Sequence, residues 1–598
     1  MDIKSRQAET GAYFRAVRQG LGLSLRDVAV PPLSYSQLSR FERGDSDIST
    51  ENAVQLMSAL GMNRDDVRIM QRANSYTFPT DLVDSVMFGD TDKITQQVKR
   101  YTAAHADDPA TTMHDITRII LTCAQQDIGS DYQIGIAAEH TIITFLMYPE
   151  SWKIPELTAI AVLAPFTSQE FRARCWLRLE RYDIEHGSIE LSLQVMESLL
   201  LSAMKFGDWA TFTRELPRLL KYADDDNWHR FIRNTKIVSE FIKLVGQSQS
   251  APDAAAQQVD ELLRMTEEVG GAALVPYLQQ YWQLMQHPFK LMHHSLPLNE
   301  EKQGAKLVGP VGVYLAQVRM QRHLRQNQVA LAWSPSAQTR FEKGENQFGF
   351  VRTNLLKEFL LTDWADIGGT AFDACDRCFG AISALARENN LNQETAAPAL
   401  AQLHAELAGM PAEVAEIQEL ASRLYSYARA FDDVPESLIA RGVEILQHSK
   451  QWTYRTYMLF ATCSGNANSA DAYTIWRSLV GADNGYVPYV KDTDTLDFYV
   501  ALSISGYGDK ATAQKMLAEL PHVSMPRKFC LQTLYVPIAQ MLLEWTVDPS
   551  RENEARIEKR LRTIMALGYQ REIEDQLPNF FYRIKNPEFM AEYDHDVD

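Results

Sequence analysis

The chain has 598 residues, of which 45% are hydrophobic and 23% charged, and a net charge of −18. One hydrophobic core does not grow to that length, so roughly two to five domains are expected. The first ten residues, MDIKSRQAET, are charged, and no apolar run approaches the ~18 residues of a membrane span. A folded cytoplasmic protein with no membrane partner is therefore the expectation.

In chain order, the opening segment is unlike the rest. Between Gly11 and Gly44 the charge is +3, and between Gly312 and Gly344 it is +4, which leaves −25 for the remainder. Small basic islands on an acidic body suit a protein that holds phosphates while the body stays off the duplex. Phe14, Val17 and Leu21 recur at helical spacing and predict a first helix. Ser24 with Asp27 forms a capping-box pattern for a second helix, which Pro31-Pro32 should end. Ser34 should cap a third helix with Leu38 and Phe41 facing inward and Gly44 as its stop. Ser49 should cap a fourth, carrying Val54, Leu56, Met57 and Leu60. A short helix, a tight turn and a second short helix with a polar start make a helix-turn-helix.

The segment recurs. Arg40-Phe41-Glu42-Arg43-Gly44 returns as Arg340-Phe341-Glu342-Lys343-Gly344, 300 residues on. Gly11, Tyr13, Val17 and Arg18 match Gly312, Tyr314, Val318 and Arg319 at 301, so the second copy's turn is one residue shorter. YPESWKIPEL around Trp152 aligns with HSKQWTYRTY around Trp452 at the first offset. A tandem duplication explains this. It divides the chain into a helix-turn-helix domain at 1–75, a helical repeat domain at 76–285, a linker at 286–310, a degenerate helix-turn-helix at 311–369 and a second repeat domain at 370–598. Outside the heads, apolar residues recur at three and four, as in LQVMESLLLSAMKF, with little strand-like alternation, so the fold class is all-α.

SLRDVAVPPLSYSQLSRFERGDSDIS resembles the Rgg/GadR/MutR regulators of Gram-positive bacteria. That resemblance implies a Cro-like helix-turn-helix followed by a tetratricopeptide-like helical domain. It also implies a transcription regulator that binds double-stranded DNA as a dimer and is controlled by a short signalling peptide, as in quorum sensing. In such folds the start of the third helix enters the major groove, which points to Tyr35, Ser36, Gln37, Ser39 and Arg40. Arg15 and Arg43 are the phosphate candidates. Arg18 and Glu42 resemble a buried pair tying the first helix to the third, the alternative for Arg18 being a phosphate contact.

In the second copy Arg319 and Glu342 keep the pair, and Ser336, Arg340 and Lys343 are the candidate DNA contacts. Leu25 becomes Gln326 and Leu38 becomes Gln338, so a shift in packing is expected. Ser24 becomes Arg325, which loses a cap, and Gln37 becomes Ala337, which removes a base-reading amide. The fused copies suggest a single-chain pseudo-dimer with unequal heads. In the acidic body, Arg230, Arg233, Asn234 and Lys236 form a polar stretch suited to a peptide, with a solvated helix face as the competing reading.

Cys375 and Cys378 form a C-x-x-C with no second pair nearby and read as two ordinary helix cysteines. The histidines between His287 and His293 read as a solvated loop. No cofactor, metal or catalytic motif is evident, so an enzyme is not expected. The competing function is a helical scaffold or sequestering adaptor that binds a peptide or protein partner, with the helix-turn-helix units structural.

Overall fold

The computed structural model describes residues 3–29, 33–62, 66, 82–104, 112–147, 152, 154–180, 189–223, 235–296, 310–322, 324–331, 333–362, 374–388, 390–430, 432–449, 453–464, 466–480, 493–520, 535–570, 573 and 577. Among them the fold is all-helical, and the one strand-like feature is an isolated antiparallel bridge between Ser49 and Gly349. No described helix is long and apolar enough to cross a membrane.

The first head comprises α1 (Ile3–Gly20), α2 (Leu25–Val28), α3 (Tyr35–Glu42) and α4 (Thr50–Ala59). The following helices are α5 (Leu82–Met87), α6 (Thr91–Ala104), α7 (Thr112–Ala124), α8 (Ile136–Met147), α9 (Ile154–Leu163), α10 (Gln169–Glu180), α11 (Ile189–Lys205), α12 (Trp209–Ala223), α13 (Thr235–Ser248), α14 (Pro252–Glu268) and α15 (Val275–Gln286). The second head comprises α16 (Val311–Gln321), α17 (Gln326–Val329), α18 (Pro335–Glu342) and α19 (Phe350–Phe359). Beyond it lie α20 (Ala374–Arg387), α21 (Gln393–Leu407), α22 (Ala412–Ala430), α23 (Glu436–His448), α24 (Tyr454–Ser464), α25 (Ser469–Val480), α26 (Thr493–Gly506), α27 (Lys510–Glu519), α28 (Tyr535–Val547) and α29 (Arg551–Ile564).

Two compact units form, and they do not follow chain order. One unit holds residues 1–77, 307–527 and 535–549, so both heads share it with most of the second array. Its array is a stack of helical hairpins: α22, α24, α26 and α28 pack one on the next, and α23, α25 and α27 form the other layer. Each hairpin buries its apolar face against its neighbours, which is how such repeats acquire a core. Cys375 and Cys378 are both buried on α20, and burial pushes the Cys378 thiol up to about 11. These are structural helix residues without thiolate character.

The other unit holds residues 78–306, 528–534 and 550–598. Here α9, α11 and α13 pack in series, and α14 receives α29 from the far end of the chain. Lys559 reaches Glu268 at 3.7 Å, and Arg560 donates to the Glu268 carbonyl. Trp152 is fully buried and donates to the Leu146 carbonyl at 2.7 Å. Its repeat partner Trp452 lies outside the described residues.

The stretch expected to be a solvated loop is irregular and largely exposed, and it is also tethered to this unit as a strap. Residues 288–296 follow α15 without regular secondary structure, with the Phe289 amide on the Lys205 carbonyl at 2.9 Å and the Gln169 amide on the Met292 carbonyl at 3.0 Å. His293 and His294 bind Glu170 and Glu139, each at 2.9 Å. Carboxylates of α8 and α10, the Gln169 amide and the Lys205 carbonyl of α11 give the strap partners that the sequence, read locally, does not reveal.

Candidate nucleic-acid interface

The first head is assembled around helix ends. Ser24 and Asp27 form a capping box on α2, and Ser34 accepts the Gln37 amide at 3.3 Å to start α3. Gly44 ends α3 at φ +75° and Gly344 ends α18 at φ +73°, a left-handed conformation that favours glycine. Helix α2 stops at Val28, and Pro31-Pro32, expected to end it, lie outside the described residues. Phe14, Val17, Leu38, Phe41 and Met57 are all buried, and Phe14 meets Phe41 edge-on at 5.3 Å. Gly11 lets α1 approach α3, since a Cβ there would lie 2.1 Å from the Phe41 carbonyl oxygen. Gly312 repeats the arrangement, with 2.0 Å to Phe341.

One ion pair ties each head together. Arg18 grips Glu42 through two parallel bonds of 2.6 and 2.8 Å and donates to the Leu23 carbonyl at 2.6 Å. The Glu42 carboxylate raises the Arg18 pKa, so this cation stays charged inside the head rather than on a phosphate. Arg319 and Glu342 reproduce the geometry, at 2.6 and 2.8 Å, with Leu324 taking the third bond at 2.5 Å.

The second head differs from expectation around that pair. Gln326 and Gln338 are not left without partners but extend the ion pair. Gln326 donates to Glu342 at 2.7 Å and Gln338 donates to it at 2.9 Å. Their own oxygens accept Thr339 Oγ1 at 2.9 Å and Trp333 Nε1 at 2.6 Å. Burial pushes the Glu342 carboxyl up, but the bonds from Arg319, Gln338 and Gln326 outweigh it and hold the group below the usual range. The aromatic pair also moves: Phe341 stacks on Phe348 at 4.1 Å, with Trp333 edge-on to Phe348 at 4.9 Å. Arg325 supplies no side-chain cap, yet its amide donates to Gln328 at 2.8 Å, so half of the capping box survives. Pro335 takes the first turn of α18 behind Ser334, as its fixed φ allows.

The outer face carries the candidate contacts. Tyr35, Ser36, Gln37 and Arg40 are exposed at α3, Ser39 is half-buried, and Arg15 and Arg26 are exposed beside them. Two of these groups are already engaged. Gln37 Oε1 accepts both the Ser34 amide and its hydroxyl, each at 3.0 Å, so only its NH2 keeps free bonding capacity for a base edge. Arg43 binds Asp45 and Ser39, both at 2.7 Å. In the second head Ser336, Arg340 and Lys343 are exposed, while Arg322, counted in the basic island, is buried. Of the peptide candidates, Arg230, Arg233 and Asn234 lie outside the described residues. Lys236 is half-buried and packs against Gly568, so it does not stand on an open helix face.

The two heads meet around the starts of α4 and α19, which sequence reasoning missed. Ser49 bridges Gly349, Ile48 accepts the Phe350 amide at 2.7 Å, and Thr50 meets Thr353 at 2.9 Å. Phe14 packs edge-on against Phe350 at 6.0 Å, and Arg6 pairs with Glu358 at 2.8 Å. Ser49 and Gly349 correspond at the 300-residue offset, and contact between corresponding residues is what an isologous interface would give. The contact is not symmetric in detail. Ser49 caps α4 itself, whereas Gly349 has no side chain, and Asp47 of the first head accepts the Val351 amide at 3.2 Å instead. Burial among these groups raises the Asp47 pKa. The readable signal was Gly349 standing where the first copy has a capping Ser49.

No protein-family model and no curated protein matches the chain. The solved Streptococcus dysgalactiae SHP pheromone receptor Rgg2 is similar to part of it. The match has 14% identity and a TM-score of 0.31, and covers 45% of this chain and 98% of the receptor. A variant of that receptor with one cysteine replaced by serine gives 18% identity and a TM-score of 0.34, over 46% of this chain and 98% of the other. Each match covers less than half of this chain, at an identity and superposition too low to define its fold or function.

Proposed function

We propose that this chain is a DNA-binding transcription regulator working as a single-chain pseudo-dimer, formed by tandem duplication of a helix-turn-helix unit and a helical repeat domain. The observation that carries the reading is the pairing of two helix-turn-helix heads through the equivalent residues Ser49 and Gly349. Two joined heads suit the way dimeric regulators present two recognition helices to two half-sites. On this reading α3 enters the major groove with Tyr35, Ser36, Gln37, Ser39 and Arg40, and Arg15 and Arg43 hold phosphates. The second head clamps backbone with Ser336, Arg340 and Lys343. The helical arrays provide the surface on which a short peptide sets DNA affinity, as the pheromone receptor named above suggests by analogy.

Electrophoretic shift of the full chain on the region upstream of its own gene tests the proposal. The expected result is sequence-selective binding that weakens steeply with salt. Binding that is absent, or equal on every duplex, overturns it and favours a scaffold that holds a peptide or protein partner.

A further inference from the structure

Inside the unit built on residues 78–306, two cations lie together with no carboxylate bonded to either among the described residues. Lys205 closes α11 and Arg172 sits on α10, and the residues are 0% and 3% exposed. Both stand over one ring, the Arg172 guanidinium 4.6 Å and the Lys205 ammonium 5.5 Å from the centre of Phe206. Phe166 at 4.9 Å and Phe289 at 5.4 Å flank the ammonium further. Arg172 Nη1 donates to the Thr167 carbonyl, whereas Arg172 Nη2 and Lys205 Nζ are buried with no hydrogen-bond partner among the described residues.

The surrounding acids act only through space, Asp127 and Asp131 on Lys205 and Asp208, Glu139 and Glu170 on Arg172. Several are already engaged: Ser168 and His294 hold Glu139, while Gln169 and Thr211 hold Asp208. Burial outweighs them all and pulls Lys205 down to about 8 and Arg172 down to about 10. Two like charges with open donors in an aromatic setting are costly until a counter-anion joins them.

The donor set selects the anion. An ammonium and one guanidinium nitrogen satisfy the two oxygens of a carboxylate, and phenyl rings suit an organic body. A phosphate has more oxygens to satisfy and brings a second charge into the same rings. The roof is the 288–296 strap, whose Phe289 both bonds the Lys205 backbone and covers its ammonium.

We propose that Lys205 and Arg172 form a binding site for a small organic carboxylate, entered when the 288–296 strap lifts. The proposal goes beyond DNA binding and does not depend on it. The carboxylate is either a free acid or the C-terminus of a peptide.

Calorimetric titration of the full chain with sodium propionate, against matched sodium chloride and sodium phosphate, provides the test. Saturable propionate binding is expected, weakened at least tenfold in Lys205→Met and in Arg172→Gln. The second variant keeps the test decisive if the first misfolds. Tetra-alanine with a free C-terminus and its amidated form separate the sources. Tighter binding of the free form only assigns a peptide terminus, and propionate binding alone assigns a free acid. No saturable propionate binding, an equal response to chloride or phosphate, or full binding by both variants overturns the proposal.

Discussion

Glu342 shows how the second head keeps its framework while changing its chemistry. The sequence marked Gln326 and Gln338 as two faults in a core, because each side chain was read against the leucine in the first copy. The structure places both amides on one carboxylate that Arg319 already holds. The two changes complete one network, and pairwise convergence of that kind is invisible to periodicity. Glu342→Gln removes the charge that organises the cluster and should cost about 3–5 kcal/mol at pH 7, as loss of one partner of a buried pair does. Since the folded carboxyl sits below its usual range, its stabilisation is present above the unfolded pKa of about 4.3 and is lost as pH falls through the folded value. Denaturant titrations should therefore show the gap between variant and parent narrowing below about pH 4. A gap that stays constant with pH would mean that the carboxylate's ionisation is not what the cluster uses.

At the scale of elements, the starts and stops of the head helices were legible because capping chemistry is local. Ser24, Ser34 and Ser49 each cap the helix that their spacing predicted, and Gly44 and Gly344 stop theirs. What was not legible is the cap supplied from far along the chain. Asp47 accepts the Val351 amide across about 300 residues, and nothing in a window around Gly349 encodes it. Asp47→Ala should lower stability by about 0.5–2 kcal/mol, the usual worth of an N-cap. It should do so by loosening α19, which amide exchange at Val351 would report. Ser49→Ala removes the ordinary cap of α4 and serves as the local comparison. If exchange at Val351 is the same in Asp47→Ala as in the parent, the link between the heads does not run through this carboxylate.

At the scale of the molecule, the likeness of the two basic segments was readable, but their packing together was not. Repeat offsets record which residues correspond, and contact between correspondents such as Ser49 and Gly349 is a separate fact of three-dimensional packing. That the first head shares a unit with residues 307–527 belongs to the same category. The consequence for function is unequal reading by two joined heads. Arg40 and Gln37 are both exposed on α3, while Arg340 stands beside Ala337, which offers no polar group. Under the proposed DNA-binding role, Arg40→Ala should cost about 1–3 kcal/mol on the preferred duplex and relax selectivity at its base step. Arg340→Ala should weaken every duplex alike and lower the salt slope by about one. Titrating both variants on the preferred site and a scrambled one, at several salt concentrations, separates the two effects. Equal losses of selectivity from both substitutions would show two reading heads and a symmetric site, and the unequal pseudo-dimer would then be abandoned.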